Sequence, residues 1–256
     1  MNIQQYYQQS AQASLNGSLV ACIPLWVLVI YHSFFQEISG LLWWCLPFVL
    51  YSGMSYQSYV LANNQAKISS YASTNSKQKN IFSQREFLIG FLPAPNLRLL
   101  LFNRDGRTAA EIRDLAFHKW RWFLPTFVDS WIYRNRYALV VDQRVLAIIT
   151  VRKHNIQIDY NSNTILLHND NNKRFICQKD SRAYTLRYER TFMNLLVQSE
   201  NGRELGKLQK GWIPREWMES FKVNNTPFLM MNQPLPADEQ LIFYSLLIMY
   251  VKNIQH

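Results

Sequence analysis

The sequence predicts a two-helix transmembrane hairpin followed by a mainly β domain, a closed barrel of about twelve strands around a buried C-terminal helix. Three observations carry this reading. Residues 1–66 contain no Lys or Arg and one acidic residue, Glu37, so all 27 basic and 16 of the 17 acidic side chains follow Ala66. From Leu97 to Met231, short apolar segments are separated by turn signals. From Leu241 to Val251 every residue except Ser245 is apolar or aromatic.

The N-terminal part, residues 1–62, holds two apolar runs, at about 18–35 and 40–61. A helix crossing ~30 Å of hydrocarbon needs about 20 apolar residues; the first run, of 18, is enough but short. The second becomes polar after Tyr51, and Trp43, Trp44, Tyr56 and Tyr59 suit the membrane–water interface. Pro24 and Pro47 lie inside the runs, which membrane helices tolerate. Basic residues set orientation. The connecting loop has none, whereas Lys67, Lys77, Lys79 and Arg85 follow the second run. Both the N-terminus and the C-terminal domain are therefore expected on the cytoplasmic side of the cell membrane. Cys22 and Cys45 lie in the runs and Cys177 stands alone in the rest, a distribution that fits a reducing compartment.

Residues 63–84 are rich in Ser, Asn and Gln and read as a polar linker, or as a polar helical extension of the second run. Residues 85–256 form the expected barrel domain. Asp105-Gly106 and Asn201-Gly202 are strong hairpin signals, with looser turns at Asp142–Arg144, Asn161–Asn163 and Asn169–Asn172. Between them Ile156, Ile158 and Tyr160 alternate with Gln157 and Asp159, and Tyr184, Leu186 and Tyr188 alternate with Thr185, Arg187 and Glu189. That spacing of short strands fits a barrel or sandwich. A faint repeat at an offset of 90–96 residues relates Asp105–Ile112 to Asn201–Leu208, Trp122–Pro125 to Trp212–Pro214, and Ser130–Leu139 to Ser220–Leu229.

Residues 237–253 break the β pattern. Pro236, Asp238 and Glu239 make a helix start and Lys252 a helix end. The apolar stretch of eleven residues rises only ~16 Å, about half of what a bilayer requires. A helix apolar on all sides is buried on all sides, so it is expected inside the β segments.

The hairpins Leu99–Asp114 and Phe192–Lys210, with the closing helix Leu241–Val251 after Pro234-Leu235-Pro236, resemble the tubby C-terminal domain, whose architecture is shared by phospholipid scramblases and LURP-one-related proteins. The resemblance spans about residues 90–254, rests on patterns rather than invariant signatures, and is nearest to bacterial membrane-anchored proteins of this type. It implies a twelve-stranded barrel threaded by its last helix and, as in tubby domains, phosphoinositide binding. The separate N-terminal hairpin departs from the scramblases, in which the barrel's own helix is the proposed span.

The motifs of catalysis are missing. The chain has no phosphate-binding P-loop, no G-x-G-x-x-G, no G-x-S-x-G and no H-E-x-x-H. Cys177 shares an apolar face with Phe175, as a structural thiol would. His118, His154, His168 and His256 are dispersed, and Asn169–Asn172 lacks calcium-loop spacing. No metal, no cofactor and no nucleic-acid partner is expected.

Charge remains. Residues 67–256 carry 27 basic and 16 acidic side chains, a net of +11, and a basic domain beside a membrane is drawn to anionic headgroups. The candidate lipid-binding residues are Arg134, Arg136, Lys207 and Lys210. The expected function is a non-catalytic module that binds membrane lipids or a protein partner. The alternatives are scramblase-like lipid transport and an enzyme with an unrecognised site.

Overall fold

Residues 1–35, 41–69, 80–92, 97–116, 135–152, 154–170, 174–189, 194–211, 213–218, 221 and 226–255 are described by a computed structural model of the chain. They divide into two units, Met1–Tyr71 and Ala72–His256.

The first unit is helical. Helix α1 covers Ile3–Phe35 and α2 covers Leu41–Ile68. The helix at α1 begins well before the apolar run at Ser18. Its start is a reciprocal cap, in which the Gln5 amide donates to Asn2 Oδ1 (2.8 Å) and the Asn2 amide donates to Gln5 Oε1 (3.0 Å). The following Gln and Ala residues are good helix formers. Helix α2 likewise continues through residues 63–68, so the helical-extension reading holds for that part of the predicted linker. The two helices meet through small polar groups: Ser18 Oγ lies 3.0 Å from Ser52 Oγ, and Ser52 Oγ also donates to the Ser18 carbonyl at 3.2 Å. Among the described residues, one helix, α1, is long and apolar enough to cross a membrane. Helix α2 is weakened by its polar stretch after Tyr51.

The second unit is a closed antiparallel barrel of twelve strands: β1 (Glu86–Phe91), β2 (Arg98–Phe102), β3 (Thr108–Asp114), β4 (Asn135–Val141), β5 (Arg144–Val151), β6 (Asn155–Tyr160), β7 (Asn163–Asp170), β8 (Arg174–Cys177), β9 (Ala183–Glu189), β10 (Asn194–Ser199), β11 (Glu204–Gln209) and β12 (Phe228–Met231). Each strand pairs with its neighbours in sequence, and β12 closes on β1 in the register Glu86–Met230, Phe87–Leu229, Leu88–Phe228. The first strand lies upstream of Leu97, where the strand pattern was expected to begin. Its sequence, EFLIGF, does not alternate because both faces are covered. Phe87 and Ile89 point into the barrel, while Leu88 is buried on the outside, in register with Phe102 and Phe228. There Trp217 and Phe221 add an aromatic layer, with ring centroids 5.4 Å from Phe228 to Trp217 and 5.6 Å from Phe102 to Phe221.

The turns reverse one expectation. Asp142-Gln143 and Asn161-Ser162 are the tight two-residue hairpins, with positive φ at both positions. Asp105-Gly106 and Asn201-Gly202 instead sit in three-residue loops. Gly106 donates to the Asn103 carbonyl at 3.0 Å and Asn103 to the Arg107 carbonyl at 2.9 Å; Gly202 and Ser199 repeat this at 2.9 and 2.8 Å. The glycines adopt φ of 73° and 72°, and each hairpin has a register shift, at Leu101/Phe102 and at Val197/Gln198. This part of the sequence repeat is thus a repeat of backbone geometry at an offset of 96. Trp122–Pro125 and Ser130–Arg134 lie outside the described residues. Asn169 and Asp170 belong to β7 rather than to a turn.

Helix α3, Ala237–Gln255, fills the barrel. Leu241 through Ile248 are all buried and share one core with inward residues such as Leu139, Ile149, Ile158, Leu195 and Leu229. Gln240 Nε2 donates to the carbonyls of Phe82 (2.8 Å) and Leu235 (3.1 Å), fixing where the helix enters. Ser245, the polar exception, donates its Oγ to the Ile242 carbonyl at 2.7 Å. Gly206 is required by this packing, since a Cβ there would lie 2.6 Å from the Met230 carbonyl oxygen and 3.2 Å from the Phe243 ring.

With its own closed core, a chain of residues 72–256 is expected to be soluble without detergent and to melt cooperatively. Leu246→Asp in that chain buries an unpaired carboxylate, a cost of several kcal/mol against a total stability of ~5–15 kcal/mol. Loss of the cooperative melt, followed by circular dichroism, is the expected result; a wild-type melt would place Leu246 at a surface.

Candidate functional site

The meander gives the barrel two unlike poles. Even-numbered strands end, and α3 enters, at one of them, hereafter the entry pole; α3 leaves at the exit pole.

At the entry pole the charges around the start of α3 are matched. Glu239, in the first turn of α3, is only 10% exposed in its side chain, and its Oε1 lies 3.1 Å from Arg182 Nη1. Its Oε2 lies 4.0 Å from Arg203 Nη1, and Arg182 Nε also meets Asp180 Oδ2 at 3.1 Å. The β8–β9 and β10–β11 turns are thereby tied to the helix start, where a carboxylate also suits the helix dipole. Burial, then the Asp180 and Glu239 charges, push the nearby Tyr184 phenol up to about 12. Burial and a hydrogen bond to Asp180 raise the Cys177 thiol, leaving it protonated and a poor nucleophile. The arrangement is a clamp that ties two turns to the helix start. Among the described residues no group of three or more His, Cys, Asp or Glu side chains is placed to hold a metal ion.

The exit pole is different. Arg98 and Arg113 face each other across β2 and β3, an unfavourable juxtaposition of like charges, relieved on one side by Glu111 Oε1 at 2.6 Å from Arg98 Nε. Arg113 and Arg136 are exposed and have no ion pair among the described residues. Leu115, which donates its amide to the Arg136 carbonyl at 2.8 Å, brings the two arginines to neighbouring positions on the outer wall. Arg187 and Lys207 flank Leu196 in register, so both also point outward. Arg152 follows β5 and Lys210 follows β11 at the same pole. Of the acids there, Asp114 accepts from the Ala116 amide (2.8 Å) and Glu189 from Asn194 Nδ2 (3.4 Å).

The candidate residues from sequence fall as follows. Arg136 is exposed on β4; Lys207, in β11, and Lys210, just after it, are half-buried; Arg134 lies outside the described residues. Strands β4 and β11 are separated around the ring by β3, β2, β1 and β12, so Arg136 and Lys207 line no common pocket. They share the exit pole instead. Arg113 and Arg187 join them there and were not selected from the sequence, although their outward phase was readable from alternation with Ile112 and Leu186. Arg104 and Arg107 sit in an entry-pole turn, and Arg104 pairs with Glu216.

In comparisons with known proteins, no family model, curated protein or solved structure matches the chain.

Raised tyrosines make the barrel sensitive to alkali. In the unfolded chain Tyr184 ionises near pH 10, in the folded one near 12. Its contribution is therefore present in full below pH 10 and is lost as pH rises toward 12, by up to about 3 kcal/mol. Denaturant titrations of residues 72–256 at increasing pH are expected to show that decline, and Tyr184→Phe to reduce it. An unchanged alkaline slope in the variant would remove Tyr184 from the account.

Proposed function

We propose that the chain is a membrane-anchored, non-catalytic barrel module that engages anionic phospholipid headgroups at the cytoplasmic membrane face. The observation that carries this is the uneven distribution of charge: ion pairs at the entry pole, and outward Arg113, Arg136, Arg187 and Lys207 around the exit pole. Tethered near a bilayer, each such residue is drawn to the surface by about 1 kcal/mol. In this reading α1 and α2 are a hairpin of two spans, with both ends cytoplasmic because the first basic residue is Lys67. The barrel closed around its last helix supports the likeness to tubby-like domains. Lipid transport through the barrel is the weaker reading, since the interior is filled by buried side chains of α3 and the strands.

Two measurements test the proposal together. The full chain should stay with the membrane through alkaline carbonate, and residues 72–256 should co-float with anionic but not neutral vesicles. Flotation should weaken as salt rises, because exposed charges are screened beyond ~8 Å at physiological ionic strength. Arg113→Ala/Arg136→Ala should reduce it more than the same change at the paired Arg104 and Arg174. Carbonate extraction would remove the anchor; absence of flotation at low salt would remove lipid binding and leave a protein partner as the better reading.

A further inference from the structure

The lipid reading leaves open how the barrel meets the bilayer, and the exit pole carries a second, independent feature. Tyr188 is on the inward face of β9, in register with Leu195 and in phase with the buried Tyr184 and Leu186. It is nonetheless 42% exposed, because β9 ends one residue later and the barrel opens there. Its ring lies 6.2 Å from that of Tyr250, in the last turns of α3, at an interplanar angle of 35°. The mouth of the barrel is thus an aromatic pair bearing two hydroxyls, with Arg187 next to it in sequence and Lys207 on the adjoining outer wall. Tyrosines of this kind, apolar in body and polar at the tip, settle at the boundary between hydrocarbon and headgroups. Basic side chains around them supply the attraction that holds such a surface to anionic lipid.

Resting on the lipid reading, we propose that the barrel docks end-on, exit pole down, with Tyr188 and Tyr250 among the headgroups of an anionic bilayer. Arg136, Arg187 and Lys207 reach phosphates around them. The occupant is a lipid surface rather than a single soluble anion, because the cationic groups are spread around the rim on walls as distant as β4 and β11 while the aromatic pair occupies its mouth.

Connectivity permits this orientation. The chain enters the barrel at the opposite pole, where Ile81 is buried and Gln240 binds the Phe82 carbonyl. Ser69 and Asn80 are joined by eleven residue steps, at most about 40 Å of extended chain. The longest strands, of eight residues, are about 26 Å long, a distance that eleven fully extended residue steps exceed.

The test uses the full chain with Cys22→Ser and Cys45→Ser, the buried Cys177 being retained. An environment-sensitive fluorophore is placed on Tyr250→Cys, on Tyr188→Cys, or on Asp142→Cys in an entry-pole turn. Each protein is held in nanodiscs of phosphatidylcholine, with or without phosphatidylserine. Labels at 250 and 188 are expected to shift to the blue and to become several-fold less accessible to acrylamide only when phosphatidylserine is present, while the label at 142 stays unchanged. Agreement of the two exit-pole labels guards against a packing defect at either. Protection at 142 in place of 188 and 250 would overturn the end-on orientation and leave headgroup binding standing. Equal protection in both lipids would overturn its electrostatic basis. Protection at none of the three would overturn the docking, and flotation of residues 72–256 would then decide separately whether lipid binding falls with it.

Discussion

Helix α3 has no polar face, and a helix of that kind is stable in water only when it is enclosed. Its enclosure is the constraint on which the rest of the domain depends. Each large apolar side chain from Leu241 to Val251 contributes about 1.5–3 kcal/mol on burial, and those on the far side of the helix could not do so against a single sheet face. A closed ring supplies the surrounding surface and leaves no free strand edge. Closure in turn brings the β12 backbone and Phe243 against β11, which leaves no space for a side chain at Gly206.

Filling the interior with apolar groups sends ionic chemistry to the outer wall and the two poles. Where α3 enters, a nearly buried carboxylate is matched by arginines from two turns, and the chain's approach to β1 is fixed by Gln240. Where α3 leaves, Arg113, Arg136, Arg187 and Lys207 point outward beside the strand-end acids Asp114, Asp170 and Glu189, and the last turns of the helix place Tyr250 against Tyr188. The functional reading follows from this difference between poles more than from the net charge, which any soluble surface could carry.

How much of this was legible in the sequence depended on whether an element kept an alternating period or clear boundary signals. Helix α3 was legible because Pro236, Asp238 and Glu239 mark its start and eleven nearly unbroken apolar residues follow. Strands β6 and β9 were legible through alternation. Strand β1 was not, because Trp217, Phe221 and Phe228 cover its outer side and erase the period of two. The start of α1 was hidden in a polar segment, although Asn2 and Gln5 have capping-box spacing. Asp105-Gly106 and Asn201-Gly202 mark hairpins in the sequence but not their loop length, because glycine serves the left-handed position of a three-residue loop as well as that of a tight turn. The candidate site was legible only as charge. Sequence proximity groups Arg136 with Arg134 and Lys207 with Lys210, whereas strand phase and the alternation of poles bring Arg113 beside Arg136.

The central claim, that the barrel exists around its helix, is tested most directly by hydrogen exchange of residues 72–256 followed by mass spectrometry. Peptides covering Leu241–Val251 should exchange as slowly as those covering Leu139 and Ile149, and both should be released together, through global unfolding alone. Early exchange of the helix peptides while the strands stay protected would contradict it, because the barrel would then hold without the element it encloses.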